Sequence, residues 1–395
     1  MERKQGQGQS NMGEVEKIVT AVAHGELTRR QFIERGLALG LSLTALATVL
    51  GACGDEPTDG ATPAAMDTTL PESITLFNWS DYMSPQCLKD FEAEYGVKVK
   101  ESFYDGNEAL FAKLRAGATG YDVILPTDMW VSILMKSDLI QPLNMEYIPN
   151  FKYVTDPVFQ KPTFDNPDNQ DGKKYSVPYM FGTTGYAATL AKVPSPMDGW
   201  DQLWDEQYKG EISMLNAPRE TLGVGLIKLG YSPNTTSQEE LDAAEAALVE
   251  QKPLVLKYDS VNTRRSIVQG LSLTHCWDGD VGLAIKTIPA ENVQYVLPSQ
   301  GYIVWADGIA IPKATENVYA AHLFLNHMLL PKQAGQAADY IGYQCVVEEG
   351  VQYYTNPIQV EMRPSAEQIA NGKLAEDVGE FQSQYDQAWQ NVIAA

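Results

Sequence analysis

Tryptophans and acids recur together along this 395-residue chain: "NWSDY" at 78–82, "PTDMW" at 126–130, "NAPRE" at 216–220, "WDGD" at 277–280 and "WAD" at 305–307. A carboxylate holds an ammonium group through a charge-assisted hydrogen bond contributing about 1.5–3 kcal/mol. An aromatic face attracts the same cation by about 0.5–2 kcal/mol. Rings with acids at their ends therefore suit a ligand that has an apolar chain and ammonium groups. They suit a sugar as well, which stacks on tryptophan and bonds acids, and paired carboxylates could then hydrolyse it. For any one acid taken alone, helix capping is the simpler role. It is Asp81, Glu220, Asp278, Asp280 and Asp307 in the company of Trp79, Tyr82, Trp130, Trp277 and Trp305 that points to a ligand.

Which elements would place these residues together follows from the hydrophobic pattern. Short β-branched runs alternate with stretches of helical period: "ITLF", a helix near 84–95, "VKVKESF", a helix near 107–116, "YDVIL" and a helix near 127–138. After a Pro- and Asn-rich passage at 141–174, the alternation resumes with "EISML", helices near 218–229 and 238–250, "PLVLKY", a helix near 260–269, "LSLTHCW", a helix near 280–287 and "VQYVL". Such alternation predicts β-α-β units, a largely parallel sheet and two α/β domains. The second is entered through "YMFGTTGYAA", and "WADGIAIP" with helices near 316–328 and 331–340 reads as a return to the first. In open parallel sheets ligands bind outside the carboxyl ends of strands. Each of the five aromatic-acid motifs follows a predicted strand.

Other chemistry is poorly supported. No nucleophile-elbow or phosphate-loop pattern occurs, and "GVGLIKLG" lacks the full dinucleotide fingerprint. His322 and His327 are five apart, a poor metal pair, so neither a metal nor another cofactor is expected. A formal net charge of −22 repels nucleic acid and anionic membranes while permitting a cationic ligand. Besides Cys53 only Cys87, Cys276 and Cys345 remain, so one intramolecular disulfide is the most that could form, with Cys276 and Cys345 the candidate pair; unpaired core thiols are the expectation.

Residues 1–53 read as an address. "TRRQFI" resembles a twin-arginine signal, with Glu34 in place of the usual lysine, and "LGAC" resembles a lipoprotein signal in which Cys53 would carry the lipid. A plain N-terminal membrane anchor is the other reading, although the apolar run is shorter than the roughly 20 residues that span a bilayer. Either way the remainder lies outside the cytoplasm. Residues 54–71, rich in Pro, Thr, Gly and Asp, read as a flexible linker with a reach of about 23 Å.

"NWSDY", "EYGVKVK", "FYDGNEALFAKLRAG", "YDVILPT", "PYMFGTTG", "YKGEISML", "APRE", "KLGYSPNTT", "WADGIAIP" and "IGY" occur in an order that resembles the spermidine/putrescine-binding proteins of bacterial ABC importers. The resemblance implies an α/β, two-lobed periplasmic-binding fold, each lobe a mixed, largely parallel sheet flanked by helices, with a polyamine in the cleft between them. It implies lobe 1 at 72–183 plus 307–350 and lobe 2 at 184–306 plus 351–395. It carries ligand contacts onto Trp79, Ser80, Asp81, Tyr82, Thr127, Glu220, Trp277, Asp280, Trp305, Asp307 and Tyr343, to which the strand-end pattern itself adds Trp130. The implied protein is a non-enzymatic monomer, lipid-anchored in the periplasm or on the outer face of the cytoplasmic membrane, whose partners are the permease and ATPase subunits of an importer. Met129 stands where spermidine binders carry a tyrosine and Ala217 where they carry a second acid, which leans toward a short diamine.

Overall fold

The computed structural model describes residues 67–165 and 172–395. Residues 1–66, and with them Cys53 and most of the expected linker, lie outside the described residues.

A parallel trio opens the fold. β1 (Ser73–Asn78) pairs with β2 (Lys98–Phe103) on one side and β3 (Val123–Ile124) on the other. The connections are α1 (Pro85–Tyr95) and α2 (Asn107–Arg115), with α3 (Asp128–Lys136) following β3. Pro85 starts α1 with its φ already set for the helix, and Cys87 and Phe91, four residues apart, bury its inner face. After the short α4 (Pro157–Gln160) the chain enters β4 (Ser176–Thr189), buried over almost its whole length.

The second parallel trio is β5 (Ile212–Met214), β6 (Val255–Tyr258) and β7 (Leu273–Trp277), interleaved with α5 (Pro218–Lys228), α6 (Gln238–Gln251), α7 (Thr263–Val268) and α8 (Asp278–Ala284). β8 (Val293–Val296) adds to β4, and β9 (Ile303–Ala310) runs antiparallel along it. The chain continues through α9 (Val318–Met328), α10 (Pro331–Ile341), β10 (Gln344–Cys345), α11 (Pro357–Glu361), α12 (Ala366–Asn371) and α13 (Gln382–Ala394).

Across the sheet the order is β2-β1-β3-β9-β4-β7-β5-β6. Each parallel trio therefore sits at one end, and the long antiparallel pair β9 and β4 joins them. The apolar core divides along these two strands. One cluster holds β4 up to Phe181 and β9 from Ala306, while another takes β4 from Tyr186 and β9 up to Val304. On β4 the break falls on "GTTG", residues with no large apolar side chain to commit to either cluster.

One expectation is corrected here. Trp305 and Asp307 do not follow a strand end: they lie within β9, whose pairing with Gly182 and Met180 of β4 carries on past the β-branched "YIV". Hydrophobic pattern registers side chains, whereas the strand's length is set by the partner backbone. The described cysteines are the unpaired core thiols expected, and the candidate pair Cys276 and Cys345 is not bonded. Both are buried free thiols in different apolar clusters, and Cys345 donates its S–H to the Val347 carbonyl at 3.1 Å.

Buried thiols whose ionisation is suppressed are inert. Burial pushes Cys87 up to about 12 and raises Cys276 and Cys345. Cys87, Cys276 and Cys345 are therefore expected to escape alkylation in the folded protein and to react fully in denaturant, as read by mass spectrometry, and reductant should leave Tm unchanged. Rapid labelling of the native protein would contradict this packing.

Candidate functional site

Two helix starts and one mid-strand position bring the acids together. β7 ends at Trp277 and α8 begins at once, so Asp278 and Asp280 occupy its first turn, where acids favour the free N–H groups and dipole. Asp278 Oδ1 accepts from the N–H of Gly279 at 2.9 Å. Pro218 starts α5 and sets Glu220 at the third position in the same way. β9 supplies Asp307 from its middle, bridged to Thr127 at the start of α3.

The aromatic side chains close on these acids. Tyr82 donates its hydroxyl to Asp307 Oδ2. The ring of Tyr343 meets Trp305 edge-on at 4.7 Å and Tyr82 at 6.1 Å. This convergence depends on two glycines. A Cβ on Gly182 would lie 2.3 Å from the Trp305 ring and 2.5 Å from Asp278 Oδ1, and one on Gly279 would lie 2.2 Å from the Tyr343 ring. Any side chain at either position would push an aromatic ring or a carboxylate out of the site.

One oxygen on each of Glu220, Asp278, Asp280 and Asp307 is buried with no hydrogen-bond partner. None of these acids, nor Asp128, belongs to an ion pair found among the described residues. Desolvation disfavours the charged form of such groups. Burial accordingly pushes Asp278 up to about 8 against the pull of the Gly279 and Thr183 N–H groups, and Asp307 up to about 8 against the Tyr82 hydroxyl. Burial likewise raises Asp280 to about 7, opposed by the Trp277 N–H and Arg264. Glu220 is raised by burial, with the Thr184 hydroxyl, the Trp277 side chain and Arg219 acting the other way. The site is a set of acceptors held in low dielectric without enough donors. The ring N–H of Trp305 is the opposite case, a buried donor without an acceptor.

The remaining expected residues are placed less uniformly. Ser80 and Asp81 form an exposed turn in which Asp81 adopts φ 56°, a left-handed conformation that aspartate tolerates better than most residues. Trp79 donates its ring N–H to the Leu125 carbonyl at 3.0 Å and packs on Tyr104. Trp130 lies in the first turn of α3 against Phe111, with ring centres 5.9 Å apart. Thr127 accepts from the Asn107 side-chain amide at 2.7 Å.

Asp128 escaped the sequence reading. It opens α3, is only 2% exposed, accepts from the N–H of Met129 at 2.6 Å and of Ala306 at 3.4 Å, and burial pushes it up to about 7. It sits inside "PTDMW", where the local sequence gives no sign that this acid, unlike others at helix starts, is removed from water. Among the described residues no group of three or more His, Cys, Asp or Glu is arranged to hold a metal.

Known proteins share this architecture. Residues 86–362 match the family model of the bacterial extracellular solute-binding proteins. The chain is 32% identical over 327 residues to the spermidine/putrescine-binding periplasmic protein of Escherichia coli, covering 82% of this chain and 92% of that one. It is 31% identical over 286 residues to the putrescine-binding periplasmic protein SpuD of Pseudomonas aeruginosa, covering 68% and 77%. Among solved structures, a putative spermidine/putrescine ABC transporter from Listeria monocytogenes superposes with a TM-score of 0.74 at 30% identity, over 82% of this chain and 99% of that one. The TpPotD lipoprotein of Treponema pallidum gives 0.74 at 28%, over 81% and 99%.

Carboxyls whose folded pKa values are raised keep protons that the unfolded chain loses near pH 4, so the stability they contribute is lost as pH rises toward their folded values. The ligand-free protein should therefore lose Tm between about pH 5 and pH 8, the range bounded above by the values of Asp128, Asp278, Asp280 and Asp307. Asp278→Asn, which removes one of these charges, should raise the ligand-free Tm at pH 8 and change it little at pH 5. Equal shifts at both pH values would rule out charge burial as the cause.

Proposed function

The chain belongs to the bacterial extracellular solute-binding proteins, and from that premise we propose that it captures a linear polyamine, putrescine or spermidine, in the acid-lined cleft and delivers it to an ABC importer. The observation that carries this reading is the set of buried, unpartnered carboxylate oxygens on Glu220, Asp278, Asp280 and Asp307 beside the Trp305 and Tyr343 rings. Ammonium groups offer the donors and the charge that these oxygens lack, and the rings suit the methylenes between them. Tyr82, Thr127 and Trp277 line the same surroundings. Trp79, Ser80, Asp81 and Trp130 are assigned to its margin. Met129 and Ala217, which replace a tyrosine and an acid of spermidine binders, favour a short diamine.

The protein works by binding alone, with no covalent chemistry on its ligand. The lobes are assigned as 72–183 with 307–350 and 184–306 with 351–395, a division supported by the core break within β4 and β9. Two carboxylates about 6 Å apart repel by about 3 kcal/mol at an effective dielectric near 20. Closing the lobes around several acids is thus unfavourable until a dication shares the space, and the ligand shifts the population by its differential affinity for the closed state. The protein acts outside the cytoplasm as a monomer tethered by lipid on Cys53; among the described residues no helix is long and apolar enough to cross a membrane.

Calorimetric titration should give heat with putrescine and spermidine and none with a neutral disaccharide. Because the ammonium groups require ionised acids, binding should release protons near pH 7 and tighten from pH 6 to pH 8, which buffers of different ionisation heat would reveal. Heat from the disaccharide alone would favour a sugar-binding or glycoside-cleaving cleft instead. Cys53→Ser should leave polyamine affinity intact and free the protein from membranes or leave its precursor uncleaved. A normally processed, membrane-bound Ser variant would remove the lipid from the account.

A further inference from the structure

Arg219 is the second residue of α5, inside the first turn, where the helix dipole and the free N–H groups disfavour a cation. The groups that hold it there carry no charge. Nη2 donates to Asn234 Oδ1 at 2.8 Å and to the Pro233 carbonyl at 3.4 Å. Nη1 donates to the Glu376 carbonyl at 3.1 Å and to Gln382 Oε1 at 3.2 Å, and lies 3.9 Å from Met129 Sδ. The guanidinium covers the Tyr385 ring at 4.5 Å, and its Nε is buried without a partner. None of the ion pairs among the described residues includes Arg219. A guanidinium satisfied by carbonyls and carboxamides, and never deprotonated, keeps its whole charge available to its surroundings.

The titratable and charged groups facing it are few. Asp128 comes from α3, Glu220 is its neighbour on α5, Tyr385 comes from α13, and Asp377 lies in the segment before α13. Asp377 is already engaged by Lys136 at 2.7 Å, and Tyr385 donates its hydroxyl to the Pro233 and Thr235 carbonyls at 3.0 Å. That leaves Asp128 and Glu220, one from each side of the cleft, as the groups on which the charge acts.

We propose that Arg219 is a positioning residue of the cleft: held by neutral acceptors next to Glu220 on α5 and against Met129, the neighbour of Asp128, its uncompensated charge favours the ionised forms of Asp128 and Glu220, which accept ammonium groups. This rests on the polyamine reading of the site. Burial drives both carboxyls toward the protonated form, with Glu220 adding to it at Asp128, and the guanidinium, adjacent to Glu220 and 3.9 Å from the Sδ of Met129, acts against it at each. A protonated carboxyl would turn one of its two acceptor oxygens into a donor and face the ligand's N–H groups with the wrong sign.

The test uses the full chain with Arg219→Met, which keeps the contact with Tyr385, Arg219→Lys, which keeps the charge, and, should the Met variant fail to fold, Arg219→Gln. Carboxyl carbon NMR would follow Asp128 and Glu220 in the ligand-free protein, and putrescine affinity would be measured from pH 6 to pH 9. Losing the charge should raise both midpoints by about one unit and weaken binding at pH 7 about tenfold. The deficit should narrow toward pH 9, more protons should be released on binding, and the Lys variant should recover most of the affinity. Midpoints that stay put, with affinity lowered by one factor at every pH, would reduce Arg219 to packing. Absence of putrescine heat in the unmodified protein would instead fail the polyamine reading, while the ligand-free titration would still decide whether Arg219 sets the two carboxyls.

Discussion

Four carboxylate oxygens, on Glu220, Asp278, Asp280 and Asp307, are shut away from water with no donor from the protein itself. An unpaired buried charge is among the most costly features a fold can carry, and it persists only where the surrounding structure over-determines it. Here the determination is shared. Asp278, Asp280 and Glu220 sit in the first turns of α8 and α5, where dipole and backbone N–H groups favour acids, and Asp307 is locked into a strand paired along its length. The protein can hold these groups close because each is anchored by backbone that would form anyway.

The same geometry relates the site to the joint between the two halves. The pairing of β4 and β9 continues from one of these apolar clusters into the other, and Gly182, Trp305 and Asp307 lie on that stretch. The "GTTG" segment contributes no large side chain to either core, leaving space against β4 for the Trp305 ring and the Asp278 carboxylate. Strands at the joint therefore also carry the aromatic and carboxylate groups of the candidate site. In such an arrangement, charge introduced between the acids acts directly on the elements that link the halves, without a separate relay.

Arg219 adds an internal cation to this balance. Its bonds to the Glu376 carbonyl and Gln382 draw the C-terminal segment toward the cleft, and its ring contact with Tyr385 ties it to α13. Residues far apart in the chain thus meet around one guanidinium. The C-terminal stretch, which has little hydrophobic periodicity before α13, takes its place from these contacts and from the pairing of Lys373 with Ile303.

Much of this was legible in the residues themselves. The alternation of β-branched and helical-period segments located both parallel trios, β8 and the helices through α10 except α4, because side-chain burial has a period of two or near 3.6 wherever one face is packed; β4, β10, α4 and α11–α13 were not read from it. The motifs "NWSDY", "NAPRE" and "WDGD" placed Tyr82, Glu220, Trp277 and Asp278 at strand ends, since helix starts and turns are set by local chemistry. Composition and charge were likewise properties of the chain alone. What tertiary structure decided was everything that depends on partner backbone or on what covers a group. The extension of β9 through Trp305 and Asp307 follows from pairing with β4, and the separation of Cys276 from Cys345 follows from their membership of different clusters. Asp128 looked like an ordinary cap until the fold placed it against β9 and removed it from water. The ionisation of a carboxyl depends on its solvent and its neighbours, and neither is written in the order of residues along the chain.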